Sequence, residues 1–159
     1  MTFRQALMAA PEPARSSFKP GKQGMKGEHR WRVDCANPAR FSGSFDLDAA
    51  YAVAQPEAHR WDYGLGFQEQ DGMDTAIWIE VHPASTSEVE TILLKYQWLL
   101  HWLKTEAREL AALSRRSSGG KSFFWLATAS GVNIRPGSLH ARRLQNAGFD
   151  LPRQKITLS

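Results

Sequence analysis

The chain of 159 residues has a single cysteine, Cys35. No intramolecular disulfide can form, a cysteine-built zinc site is disfavoured, and a reducing cytoplasm is the expected location. Long apolar runs are also missing. No segment approaches the ~20 apolar residues of a membrane span, so no membrane partner is expected. The opening MTFRQALMAAPEPAR has an apolar stretch too short for a secretory signal, and Pro11 and Pro13 interrupt it. No serine stands in a G-x-S-x-G elbow, which removes that route to acyl transfer. Gly120-Lys121-Ser122 resembles the end of a phosphate-binding loop, but Arg115 holds the first glycine position and FFWLAT follows as a strand rather than a helix. SLHARRLQNAGF has no partner helix at helix-turn-helix spacing. Acidic residues are in deficit, 16 against 20 Lys and Arg, for a net charge of +4. That balance permits a nucleic-acid partner without requiring one.

The length suits one domain with a sizeable core. Residues 1–38 are rich in Pro, Gly, Ser and Lys and show no periodicity, as in PEPARSSFKPGKQGMKGEHR. They read as a basic, loosely structured arm, whose cations Lys19, Lys22, Lys26, Arg30 and Arg32 either lie on phosphates or are simply solvated. RWRVDC is a candidate short edge strand. Residues 39–159 read as a single α/β domain. RFSGSFDLDAAYAV begins as a strand and turns helical near Leu47. WDYGLGF and TAIWIEVH are strands joined through an Asp71-Gly72 turn into a hairpin. Ser87 and Glu90 fit a capping box. Val89, Ile92, Tyr96, Leu99, Leu103, Ala107 and Leu110 then recur at steps of three and four, which predicts one amphipathic helix over roughly residues 88–113. KSFFWLATAS reads as a buried strand, SLHARRLQNA as a helix stopped by Gly148, and QKITL as a last short strand. The expected architecture is α/β, a mixed central sheet with flanking helices.

Side chains alternate along a strand, so Trp78, Glu80 and His82 share one face of AIWIEVH. With the hairpin turning at Asp71-Gly72, Asp62 falls nearly opposite Glu80 and Val81. Two carboxylates from adjacent strands with open positions suit Mg²⁺, which takes one or two protein carboxylates and keeps several waters; Mn²⁺ is the alternative ion. Such an ion can activate water and stabilise charge on a phosphodiester.

An Asp on one strand, then Glu-x-Lys on the next, then a long helix and another strand, is the core of the PD-(D/E)XK nuclease-like superfamily, which this sequence resembles. The matching residues are Asp62, Glu80-Val81-His82, the helix from Glu88 and the strand at Phe123, so the resemblance covers about residues 41–130. It implies an αβββαβ, restriction-endonuclease-like core and Mg²⁺-dependent cleavage of DNA or RNA. Two departures stand out. Trp61 rather than proline precedes Asp62, and His82 occupies the lysine position. In active members that lysine is thought to orient or activate the attacking water, so the candidates for its role here are His82 as general base or Lys95 reaching in from the helix. Without either, the domain is nuclease-like but inactive, binding nucleic acid or a protein partner.

Plainer roles compete for each residue. Asp62 can hydrogen-bond a strand end, Glu80 can lie on a wet sheet face, and His82 can be structural. Glu88 and Glu90 suit the helix dipole without any chemistry. Arg115, Arg116 and Lys121 form a loop cluster, and Arg142 and Arg143 lie on a basic helix with Arg135 and His140 nearby; all can contact phosphate or face solvent. Trp98, His101 and Trp102 lie off the main apolar stripe, as a second packed face, a base-stacking platform or a surface for a homodimer or other protein partner. A small structural or dimerising protein is therefore a third reading.

Overall fold

A computed structural model describes residues 1–114 and 121–159. Four strands form one mixed sheet in the order β2–β3–β4–β5. Strands β2 (Phe41–Asp46), β3 (Tyr63–Gln68) and β4 (Asp74–Ala84) are antiparallel neighbours, and β5 (Phe123–Val132) joins β4 in parallel. The β3–β4 hairpin turns between Gln68 and Asp74, with the Glu69 N–H bonded to the Met73 carbonyl at 2.8 Å. The parallel step from β4 to β5 is the crossover that a strand–helix–strand order predicts.

Both sheet faces are buried. One carries Phe45, Trp78 and Trp125 against the helices α1 (Phe3–Met8), α3 (Val89–Thr105), α4 (Arg108–Ser114) and α5 (Leu139–Ala147). The other carries Leu65, Ile77, Ile79 and Leu126 against Met25, Val33 and Ile156. The short helix α2 (Leu47–Tyr51) follows β2. No helix among the described residues is long and apolar enough to cross a membrane.

Three expectations are corrected. Residues 1–38 are not a loose arm. Thr2 and Gln5 form a capping box at the start of α1. Phe3, Ala6, Leu7, Ala10, Ala14, Met25 and Val33 are buried, and the Phe3 N–H is held by the Asp74 carboxylate at 2.7 Å. Three of the five cations that suggested solvation are spent as donors to backbone carbonyls: Lys22 to Arg30 and Val33, Arg30 to Met25 and Gln23, and Arg32 to Ala127 and Gln154. RWRVDC becomes β1 (Val33–Cys35), paired in parallel with β6 (Ile156–Leu158) outside the main sheet.

The expected helix over 88–113 is two helices. The N–H groups of Glu106 and Ala107 both turn back to the Trp102 carbonyl, which closes α3 before α4 begins. The apolar stripe runs unbroken through the joint, since Leu103, Ala107 and Leu110 are all buried, so periodicity alone cannot reveal it. The capping box at Ser87 and Glu90 does not form. A 3₁₀ turn over Thr86–Glu88 precedes α3, Ser87 bonds the Ser85 hydroxyl, and Glu90 pairs with Arg143. Trp98 and Trp102 stack on one another and edge onto Tyr51, with the Trp102 indole donating to the Tyr51 hydroxyl at 2.9 Å. That part of α3 is thus committed to internal packing.

Candidate active site

The hairpin register sets the site. Tyr63 pairs with Ile79, so the preceding residue, Asp62, arrives beside Glu80. Cross-strand partners share a sheet face. Four bonds hold Asp62 there. Its N–H donates to Glu80 Oε1 at 3.0 Å, its Oδ2 accepts from the Val81 N–H at 3.0 Å, and its carbonyl accepts from the N–H groups of Leu47 at 2.9 Å and Asp48 at 3.2 Å. Trp61, which precedes Asp62, is fully buried and stacks on Phe149.

Lys95 completes the group. It lies three residues after Ile92 and four before Leu99, both fully buried, so its side chain shares the inward face of α3. Its ammonium donates to Glu80 Oε2 and lies 3.7 Å from Asp62 Oδ1. His82, one alternation further along β4, places Nδ1 3.7 Å from Glu80 Oε2. Its Nε2 meets Glu88 Oε2 at 2.7 Å. Taken as the donor there, Nε2 carries the proton of the neutral ring and leaves the Nδ1 lone pair on the Glu80 side.

Access is one-sided. The Glu80 side chain has no exposed surface, while Asp62 keeps 20%, His82 23% and Lys95 13%. The exposed surface of the cluster therefore belongs to Asp62, His82 and Lys95.

Charge is out of balance here. Two carboxylates face one ammonium, which leaves one negative charge in excess when all are ionised. Burial, and then the charge of Asp62, push the Glu80 carboxyl well above its ordinary value, with Lys95 opposing. Burial likewise raises Asp62 against the pull of Lys95. Burial disfavours the Lys95 ammonium, but Glu80 and Asp62 outweigh it and hold its pKa above the ordinary value. The cluster therefore favours uptake of a proton.

The donors suit a hard divalent ion in part. Each carboxylate spends one oxygen on a backbone N–H, Glu80 Oε2 accepts from Lys95, and Asp62 Oδ1 meets only the ammonium at 3.7 Å. Among the described residues no group of three His, Cys, Asp or Glu is arranged to hold a metal. Two carboxylates still meet the requirement of Mg²⁺, which retains waters, and a cation bridging them would share its place with the Lys95 ammonium.

The other candidates are scattered. Arg143 pairs with Glu90 in the first turn of α3, two residues beyond Glu88, and Arg142 beside it is exposed. Lys121 lies 3.6 Å from Asp150, at the far end of β5 from the residues opposite His82. Arg115 and Arg116 lie outside the described residues. Glu88 is the residue that sequence reasoning passed over, because a helix N-terminus already accounted for an acid there. The available signal was its position just across the turn from His82.

No family model, curated protein or solved structure matches the chain. Its function must be argued from its own geometry.

Proposed function

We propose that the chain is a divalent-cation-dependent phosphodiesterase acting on nucleic acid, with Asp62, Glu80 and Lys95 as its centre. The observation that carries this reading is the Lys95 ammonium, delivered by a helix onto two carboxylates that adjacent strands bring together. That recovers the Asp, Glu and Lys of the nuclease-like motif with the lysine supplied from elsewhere in the fold. With β1, α2 and α4 set aside, the order α1, β2, β3, β4, α3, β5, with β4 and β5 parallel, supports reading the sheet and helices as an αβββαβ, restriction-endonuclease-like core.

Asp62 and Glu80 would hold Mg²⁺ or Mn²⁺, which supplies Lewis-acid polarisation of a phosphate oxygen and a lowered pKa for water. Lys95 then neutralises charge building on the phosphate, as a fixed cation in a poorly hydrated place. His82 would accept the proton of the attacking water on Nδ1, its ring held by Glu88 through Nε2, while the bond from phosphorus to the leaving oxygen breaks and that oxygen takes a proton from solvent water. Burial of Glu80 with Lys95 as its counter-ion favours a second reading, a nuclease-like scaffold that binds without cutting.

The test is cleavage of plasmid, linear duplex, single-stranded DNA and RNA with Mg²⁺ or Mn²⁺. Wild type would be compared with Glu80→Ala, Lys95→Met and His82→Ala, each verified as folded by circular dichroism. Losses of about 100-fold or more in Glu80→Ala and Lys95→Met are expected, as for removal of a charge-stabilising group. Folded wild type that cuts none of these substrates leaves the scaffold reading.

A further inference from the structure

Trp31 is the one aromatic among the exposed large hydrophobic side chains of the described residues, 52% exposed. Scattered exposed apolar residues are ordinary and by themselves say nothing. Three observations set this one apart.

First, the ring is held. The Arg32 guanidinium lies 4.5 Å from the Trp31 ring centroid. Arg32 is itself buried, and its Nη1 donates to the carbonyls of Ala127 and Gln154. The indole therefore rests on a cation fixed to the body of the fold, which suits a preformed platform.

Second, the segment is rich in cations, of which Lys19 and Lys26 are exposed. From Lys19 to Arg32 the chain carries Lys19, Lys22, Lys26, Arg30 and Arg32 against a single acid, Glu28. Lys26 is exposed, in the residue before the 3₁₀ turn Gly27–Arg32 that carries Trp31.

Third, the turn lies at the site end of the sheet. His29 Nδ1 meets the Tyr63 hydroxyl at 2.7 Å, and Tyr63 follows Asp62. Arg32 reaches Ala127, which pairs in register with His82. The turn thus packs on the sheet face opposite the Glu80 and His82 side chains, close to the end of β3 at which Asp62 stands.

We propose that this turn is a binding element for single-stranded nucleic acid, in which Trp31 stacks an unpaired base and Lys26 contacts the backbone. The proposal deepens the phosphodiesterase reading by naming its substrate class, and it rests on that reading for the link to chemistry. A free base offers its π-face to an indole, whereas a base inside a duplex has both faces stacked by its neighbours. Excess cations favour a phosphate polymer over a neutral peptide.

The experiment is binding of fluorescently labelled oligothymidylate, and of a duplex of equal length, in EDTA so that cleavage plays no part. Fluorescence anisotropy would compare wild type, Trp31→Ala, Trp31→Phe and Lys26→Ala. Trp31→Ala is expected to weaken single-strand binding about tenfold, in the range for loss of one base stack. Trp31→Phe should recover most of that loss, which separates stacking from a disturbed fold. Duplex binding should change far less. Lys26→Ala should lower the salt slope for the single strand by about 0.7, one phosphate contact. Equal loss on both substrates, unchanged single-strand affinity in Trp31→Ala, or no binding by wild type overturns the proposal; the last is the outcome expected of a protein-binding surface. Trp31-dependent binding without any cleavage would sink the hydrolytic reading and leave this one standing. Cleavage that depends on Glu80 but ignores Trp31 does the reverse.

Discussion

Glu80 is a carboxylate with no exposed side-chain surface, and among the described residues its only cationic contact at hydrogen-bond range is the Lys95 ammonium. Its place in a folded protein has a consequence that titration can read. The folded-state pKa lies above the ordinary 4.5, because burial and the Asp62 charge together outweigh Lys95. Between that ordinary value and the raised one, the folded state holds a proton that the unfolded state has released. The stability due to this group is therefore fully present below pH 4.5 and is lost as pH rises through the folded pKa. Glu80→Gln removes that slope. The stability of Glu80→Gln relative to wild type should rise with pH from about 4.5 upward and then level off, measured by urea denaturation across a pH series. A flat difference would mean that Glu80 is not desolvated as its burial implies. Such a carboxylate is legible in the sequence, since AIWIEVH leaves an acid where an apolar face is due. Its partner was less so. Lys95 has the spacing of an inward residue relative to Ile92 and Leu99, but the stripe could equally be drawn through Tyr96, and only the packing of α3 decides. Glu88 was hidden because an acid near a helix N-terminus already has an electrostatic reason to be there.

The elements most open to sequence reading were those whose pattern has one period and a clear stop. The β3–β4 hairpin, α5 ending at Gly148 with φ of +100°, and the inward stripe of α3 all follow from alternation, spacing or a breaker. The elements that escaped are held by tertiary contacts. α1 is six residues long, too short to be stable alone, and it exists because Phe3 docks against the sheet. Its place of docking is Gly66 on β3. A Cβ at Gly66 would stand 2.4 Å from Phe3 Cγ and 2.5 Å from Ser42 Oγ. Gly66→Ala should therefore cost ~1–3 kcal/mol as overpacking, and Phe3→Ala ~3–5 kcal/mol as a lost core aromatic. The two effects are coupled. In the Phe3→Ala background the contact with Phe3 Cγ is gone, while those with the retained Cβ at 2.6 Å and with Ser42 Oγ at 2.5 Å remain, so the cost of Gly66→Ala should fall in part. A double-mutant cycle by urea denaturation measures this, and strict additivity would show that α1 does not dock through this pair.

At the scale of the whole molecule, the question is what the first 38 residues are for. Composition suggested a separable basic arm. The packing makes them one of the two layers that bury the sheet. Met25, Val33 and Cys35 cover the face carrying Leu65, Ile77, Ile79 and Leu126, and Phe3 and Leu7 enter the core on the other. The two chain ends are also tied, since β1 pairs with β6 and Arg32 donates to the Gln154 carbonyl. Magnitudes decide between an ornament and a structural layer. Full burial of Phe3, Leu7, Met25 and Val33 stabilises by ~1.5–3 kcal/mol each, or ~6–12 kcal/mol for the four. A domain of this kind has ~5–15 kcal/mol in total. Removing residues 1–38 should therefore abolish cooperative unfolding, erase the near-ultraviolet signal of the packed Trp side chains and expose apolar surface to a dye such as ANS. An arm of the kind that composition suggests would behave otherwise: the shortened chain would keep its melting transition and lose only affinity for polyanions. Thermal unfolding and dye binding of the full and shortened chains separate the two outcomes. A shortened chain that melts as the full one does would return Trp31 and its cations to a separable tail, without the fixed seat on Ala127 and Gln154 that a stacking platform requires.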